Sequence, residues 1–344
     1  MTTTRPAQQA GGDAAPTPPT TAAPPTTAAT TLRPHAGRGV LLLIVASLCF
    51  GSSGVIGKPA MTAGLGPEQV AAARIGIAAV VMLTCVALLR PSLLRVRRGQ
   101  WRLLVAYGLL GVAGVQLLYF VAASRIPVGV AILLEFTSPV LVALWVRFVR
   151  RVRLPWPMWL GIALALTGLA MVAQIGAGLS LDAVGLLAGA GAALCSAAYF
   201  LLGERGVADQ HPLGMVTWGM TVGAVAVCAV APPWTWPADI VTAPAELGPW
   251  QPPVWVLLLA VALLSTVLAY SAGTASLRHL PAAAASVLAL MEPLIATGLA
   301  WLLLGEALTW SQVLGAGILL GGAALVQLTS PRKQPVGEPL PATD

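Results

Sequence analysis

Four ionisable side chains interrupt long apolar runs: Lys58, Arg74, Glu135 and Glu292. A charge in such a run costs about 2.5–3.5 kcal/mol on membrane-insertion scales, so each needs a physical reason to be there. Glu135 follows Pro127 by eight residues, roughly 12 Å along a helix, and Glu292 follows Pro281 by eleven, roughly 16 Å. Both fall near the middle of a hydrocarbon core about 30 Å thick. Pro139 removes the amide that would pair with the Glu135 carbonyl, and Pro293 removes the one facing Ala289. A kinked helix carrying a carboxylate and a freed carbonyl is a polar spot able to hold a substrate or a proton. The structural alternative is a glutamate bonded to a neighbouring helix. Lys58 and Arg74 lie toward the outer ends of the first two runs, where either can meet an anionic group or pair with a glutamate. Lys58 can also simply reach the surface along its alkyl stem. Tyr119, Tyr199, Tyr270 and Gln116 complete the candidate pathway, against the plainer reading of packed or interfacial side chains.

Other chemistries lack their residues. Gly51-Ser52-Ser53-Gly54 contains G-x-S-G, but a serine nucleophile needs a base beside it. His35 lies in a tail, His211 in a loop and His279 at an inner mouth, none at mid-membrane. The stretch reads instead as a place for close packing or local unwinding. Cys49, Cys85, Cys195 and Cys228 each sit in an apolar run without a CxxC pair and read as small buried hydrophobes. No metal site, cofactor motif or phosphate loop is expected, and the protein is not expected to be an enzyme.

The elements that must position these residues follow from composition. The 344 residues are 57% hydrophobic and 9% charged, where soluble domains carry about 25% charge. Mean hydropathy is +0.84. So few charges cannot cover a soluble surface, which leaves a polytopic membrane protein. Ten helical spans are expected, at 39–59, 68–89, 101–123, 127–147, 157–176, 183–203, 214–231, 253–273, 281–303 and 310–328. The runs are too long and too uniformly apolar for barrel strands. Residues 1–38, rich in Thr, Pro and Ala, read as a disordered tail without the features of a secretory signal. Residues 331–344 form a second polar tail.

Basic residues set the orientation. With both termini in the cytoplasm, all of the 19 Lys and Arg except Lys58, Arg74 and Arg125 fall in cytoplasmic segments. The external loop 232–252 has Asp239 and Glu246 and no basic residue, with Trp234, Trp236, Trp250 and Trp255 as an interfacial belt. The net charge of +7 is therefore a product of topology and calls for no nucleic-acid partner.

An internal duplication is visible. Residues 127–172 align without a gap on 281–326, setting Pro127 on Pro281, Pro139 on Pro293, Leu154 on Leu308, Trp156 on Trp310, Gly161 on Gly315 and Gly168 on Gly322. A weaker echo pairs Leu48-Cys49 with Leu194-Cys195. The first unit spans 39–176 and the second 183–328, five helices each. An odd number forces the second unit to enter the membrane inverted, and the charges agree: loop 147–153 carries four Arg and its counterpart 301–307 none. The expected fold is thus an all-α membrane protein of ten transmembrane helices in two inverted repeats, an arrangement typical of secondary transporters with a midplane site. The GxxxG spacings Gly185/Gly189 and Gly317/Gly321 are assigned to internal packing, and a homodimer is left open.

The stretch SLCFGSSGVIGKP followed by Arg74, and the closing MEPLIATGLAWLLLGEALTWSQVLGAGILLGG with Glu292-Pro293 and Gly305-Glu306, resemble the EamA-domain transporters of the drug/metabolite transporter superfamily. The resemblance covers about 39–328, with Phe50 where many members have Trp, and the first unit lacks a Gly-Glu after its fourth helix, having Val149-Arg150 instead. Within the family, RIPVGVAILLEFTSPVLVAL looks most like the threonine and homoserine exporters. That likeness implies amino-acid efflux from the cell through the cytoplasmic membrane, driven by proton exchange, with Glu135, Pro139, Glu292 and Pro293 at a central cavity. The alternatives are a proton-independent facilitator, an importer of another small metabolite, or a membrane enzyme or scaffold.

Overall fold

The structure is a computed structural model that describes residues 1–2, 35–126, 128–173, 182–304 and 309–330. The chain divides into Met1–Arg33, of which only the first two residues are described, and the body Pro34–Asp344. Most of the expected N-terminal tail, the tail 331–344, Pro127, Gly305, Glu306 and Leu308 lie outside the described residues.

The body is helical, and among the described residues the only strand-like pairing is two isolated bridges in the loop before the eighth long helix. Ten long helices follow the apolar runs. They are α1 (Ala36–Thr62), α2 (Pro67–Leu89) and α3, which joins Trp101–Ala106, Tyr107–Gly114 and Val115–Ala123. Helix α4 comprises Val128–Glu135, Ser138–Leu144 and Trp145–Val149, and α5 is Trp156–Val172. Then come α6 (Ala183–Asp209), α7 (Pro212–Val230) and α8, which joins Val254–Ala262, Leu263–Leu268 and Ala269–Ser276. Helix α9 comprises Ala282–Leu288 and Met291–Leu304, and α10 is Trp310–Thr329. Among the described residues nine are long and apolar enough to cross a membrane, and α5 is a shorter apolar helix.

Local chemistry explains the ends. Pro67 and Pro212 occupy first-turn positions where a missing amide costs nothing, and Gln69 accepts from the Gly66 amide at 2.9 Å. Asp182 starts α6 by accepting from the Gly185 amide at 2.8 Å. Helix α1 reaches back to Ala36, so the tail ends slightly before residue 38. Helix α6 runs on to Asp209, past the expected residue 203. The extension is held by Glu204, which pairs with Arg150 and accepts the Ala282 amide at the start of α9 at 3.0 Å.

Packing has an internal regularity. Helix α5 packs along α10 and α2 along α7, while α1 lies against α8 and α9 as α6 lies against α3 and α4. Exchanging α1–α5 for α6–α10 maps each of these contacts onto another. At the α5/α10 seam a Cβ on Gly161 would lie 2.8 Å from the Gly322 carbonyl, and one on Gly168 would lie 2.5 Å from that of Gly315. The first glycine of one helix thus meets the second of the other, so α5 and α10 run antiparallel.

Three sequence expectations change. Gly185 and Gly189 do pack internally, against Ile126 and Leu134, but Gly317 and Gly321 have no atom within 4 Å of an added Cβ. They are exposed because Gly315 and Gly322, on the other face of α10, make the close seam. Cys49 and Cys195 are buried, whereas Cys85 is exposed and Cys228 half-buried, because apolar helices in this bundle also present an outer face. Trp234, Trp250 and Trp255 are exposed, but Trp236 is half-buried among residues of the outer cluster around Leu65, Val70 and Leu257. The loop folds there over the α1–α2 connection, bringing Ile240 to Gly64, whose φ of 116° suits glycine.

Candidate functional site

The site is built where two helices are interrupted. The first segment of α4 stops at Glu135 and the second restarts at Ser138, with Pro139 in its first turn. In α9 the stop is at Leu288 and the restart at Met291, with Pro293 in the first turn. Both prolines act as the sequence suggests, since neither can donate into a continuous helix. One detail differs: the Ala289 carbonyl is not free, because it accepts from the Glu292 amide at 2.9 Å. A tightened turn reclaims the acceptor that Pro293 leaves.

Between these breaks lies a cavity that is partly open to the exterior. Glu135 and Glu292 both line it, together with Gln116, Tyr199 and Tyr270. The two glutamates are half-buried and interact electrostatically across it. Gln116 engages the Tyr270 side chain. Small hydroxyls add polar points, with the Ser196 hydroxyl donating to that of Ser138 at 3.1 Å. The wall is otherwise apolar and aromatic: Phe50 and Tyr270 meet edge to face at 5.0 Å, and Tyr199 and Tyr270 at 5.7 Å.

Glycines let the helices close on the site. A Cβ on Gly51 would lie 3.0 Å from the Glu292 carbonyl, and one on Gly111 3.1 Å from the Tyr199 Cα. Helix α1 therefore stays continuous and packs closely at Gly51 instead of unwinding, while Gly54 is open on its outer side. Two of the three helix segments that widen to π geometry, Tyr107–Gly114 in α3 and Leu263–Leu268 in α8, occupy equivalent helices beside the cavity. Such widened turns often re-aim side chains at functional positions.

The remaining candidates sit outside the lining. Arg74 is buried on α2, with its Nη1 donating to the Ser53 hydroxyl at 3.1 Å. Its charge is still felt by Tyr270, Glu292 and Glu135. Tyr119 packs in a separate cluster with Ala122, Ile126 and Ala131, although it too senses both glutamates. Lys58 is exposed near the end of α1. Tyr107, which the sequence alone does not single out, is wholly buried, hydrogen-bonds Thr274 at 2.8 Å and lies against Tyr199 with ring centroids 5.6 Å apart. Its only signal was a tyrosine in the same apolar run as Gln116. Among the described residues no three His, Cys, Asp or Glu side chains cluster as metal ligands would.

A bundle of spanning helices broken at mid-length around a cavity with two carboxyls defines the class: a multi-pass membrane transporter. The EamA-like transporter family model matches residues 37–174 and again 183–328, and the chain belongs to that family. It is 30% identical over 311 residues to the threonine/homoserine exporter RhtA of Escherichia coli strain K12, covering 87% of this chain and 94% of that protein. The exporter of the same name from Salmonella typhimurium strain SL1344 is 29% identical over 306 residues, covering 86% and 92%. A solved crystal structure superposes with a TM-score of 0.69 at 20% identity, covering 85% of this chain and 97% of that one, and so shares the fold.

Proposed function

We propose that the protein is a secondary transporter of the cell membrane that exports small amino acids of the threonine and homoserine type in exchange for protons. The observation that carries this reading is the shared cavity edge formed by Glu135 and Glu292 on two interrupted helices. Ionisable groups inside a membrane mark substrate paths and proton relays. The cavity's mixture of carboxyls, hydroxyls and aromatic faces suits a small amphipathic ion. The amino-acid class and outward direction are taken from the exporters that resemble the chain over most of both lengths.

The two five-helix units are read as an inverted pair with both termini in the cytoplasm. Three features support this: the bias of basic residues, the antiparallel glycine seam between α5 and α10, and the exchange symmetry of the packing. Rocking of one unit against the other then exposes the same cavity to each side in turn.

A competitive export screen tests the substrate. Cells carrying the protein and loaded with labelled amino acids should lose threonine and homoserine faster than control cells. Uniform retention of every amino acid would contradict the reading.

A further inference from the structure

Arg74 is a buried charge with an incomplete set of hydrogen bonds among the described residues. Its residue is 7% exposed, its Nη1 donates to Ser53 at 3.1 Å, and its Nε has no hydrogen-bond partner among the described residues. The ion pairs found among the described residues, Arg125–Asp182 and Arg150–Glu204, do not include it. A guanidinium offers five donors in a flat fork that matches a carboxylate. Burying one without an anion is costly, and inside a membrane more so.

Further hydroxyls stand on the neighbouring turns of α1 and α8. The Ser52 hydroxyl lies 3.0 Å from that of Ser265, which is fully buried, and Thr266 beside it is also buried. On α1 the cavity lining ends at Phe50, and Ser53 stands one turn further on. On α8 the lining reaches Tyr270, and Thr266 stands one turn beyond. The Phe50–Tyr270 edge-to-face pair thus stands at this end of the cavity lining, next to the turns that carry Ser53 and Thr266. The glutamates line the cavity and the guanidinium lies outside the lining, with its charge acting on both of them.

We infer that Arg74, with Ser53 and the paired Ser52 and Ser265, forms a carboxylate subsite adjoining the glutamate-lined cavity, so that the transported molecule is a zwitterion. The carboxylate engages the Arg74 fork, and the ammonium faces Glu135 and Glu292. This inference rests on the reading of the cavity as a transport site, but its own prediction concerns binding of the carboxylate alone.

Three probes separate the parts: L-homoserine, 4-hydroxybutyrate, which lacks the ammonium, and 2-amino-1,4-butanediol, which lacks the carboxylate. Affinities are measured by calorimetry on the purified full-length protein in lipid nanodiscs. Arg74→Gln should weaken both carboxylate probes about tenfold and leave the aminodiol unchanged. Arg74→Lys should restore part of the loss, and Ser53→Ala, which keeps the charge, should weaken the same two probes by a smaller factor. Equal weakening of all three probes by Arg74→Gln would mean a purely structural charge and overturn the inference. So would unchanged carboxylate affinity in that variant, or, if it does not fold, in Ser53→Ala. Arg74-dependent binding of 4-hydroxybutyrate without any amino-acid efflux would sustain the subsite and overturn the export reading instead.

Discussion

His211 shows how a single side chain outside the spans ties stability to pH. Its Nδ1 accepts the Leu213 amide at 3.3 Å and so caps α7. Burial first, then the charges of Arg278 and Arg90, hold this imidazole below its ordinary value of 6.5. Below that value the unfolded chain takes up a proton that the folded chain resists. The contribution is therefore fully present above 6.5 and is lost as pH falls below it and through the lower value of the folded imidazole. Protonation also removes the lone pair that caps the helix. His211→Asn keeps an acceptor that cannot titrate. Melting curves recorded from about pH 7 to about pH 5 should fall for the wild type and flatten for the variant. Parallel curves would show that His211 does not set the slope. The same residue scale explains what could be read early. Glu135, Glu292, Tyr199, Tyr270 and Gln116 stand out because a polar group in an apolar run is conspicuous, and all five line one cavity. Tyr107 and the Glu204 tie did not stand out, because each gains its meaning from a partner far away in the chain: Thr274 for Tyr107, and Arg150 and Ala282 for Glu204.

At the level of elements, prolines and glycines carried the most information. Pro139 and Pro293 locate the interruptions of α4 and α9 to within a turn. The widened segments of α3 and α8 were not legible, since no residue type encodes them and interhelix fit selects them. Glycine spacing alone also misled: Gly317 and Gly321 have the same GxxxG signature as Gly185 and Gly189, yet face outward. What decides is the neighbour. A Cβ on Gly168 would lie 2.4 Å from the Leu319 amide nitrogen, which belongs to backbone and cannot swing aside. Gly168→Ala should therefore cost about 1–3 kcal/mol by forcing α5 from α10. Gly317→Ala, with nothing within 4 Å, should leave the melting temperature in detergent unchanged or slightly raised. Equal melting temperatures for the two variants would contradict the seam.

For the whole molecule, the uneven distribution of charge is the organising feature. Only 9% of residues are charged, and the basic ones gather in segments assigned to one side of the membrane. The number of helices was legible because bilayer thickness sets their length. The fold of loop 232–252 over the α1–α2 connection was not, because a polar-looking connection says little about which helix ends it covers. If the two mid-bundle carboxyls couple amino-acid export to protons, homoserine efflux from proteoliposomes, measured with and without a pH gradient for the wild type and for Glu135→Gln, reports it directly. The gradient should accelerate efflux in the wild type, and the variant should show none while remaining folded in the membrane. Gradient-dependent efflux at the wild-type rate in Glu135→Gln would contradict the coupling.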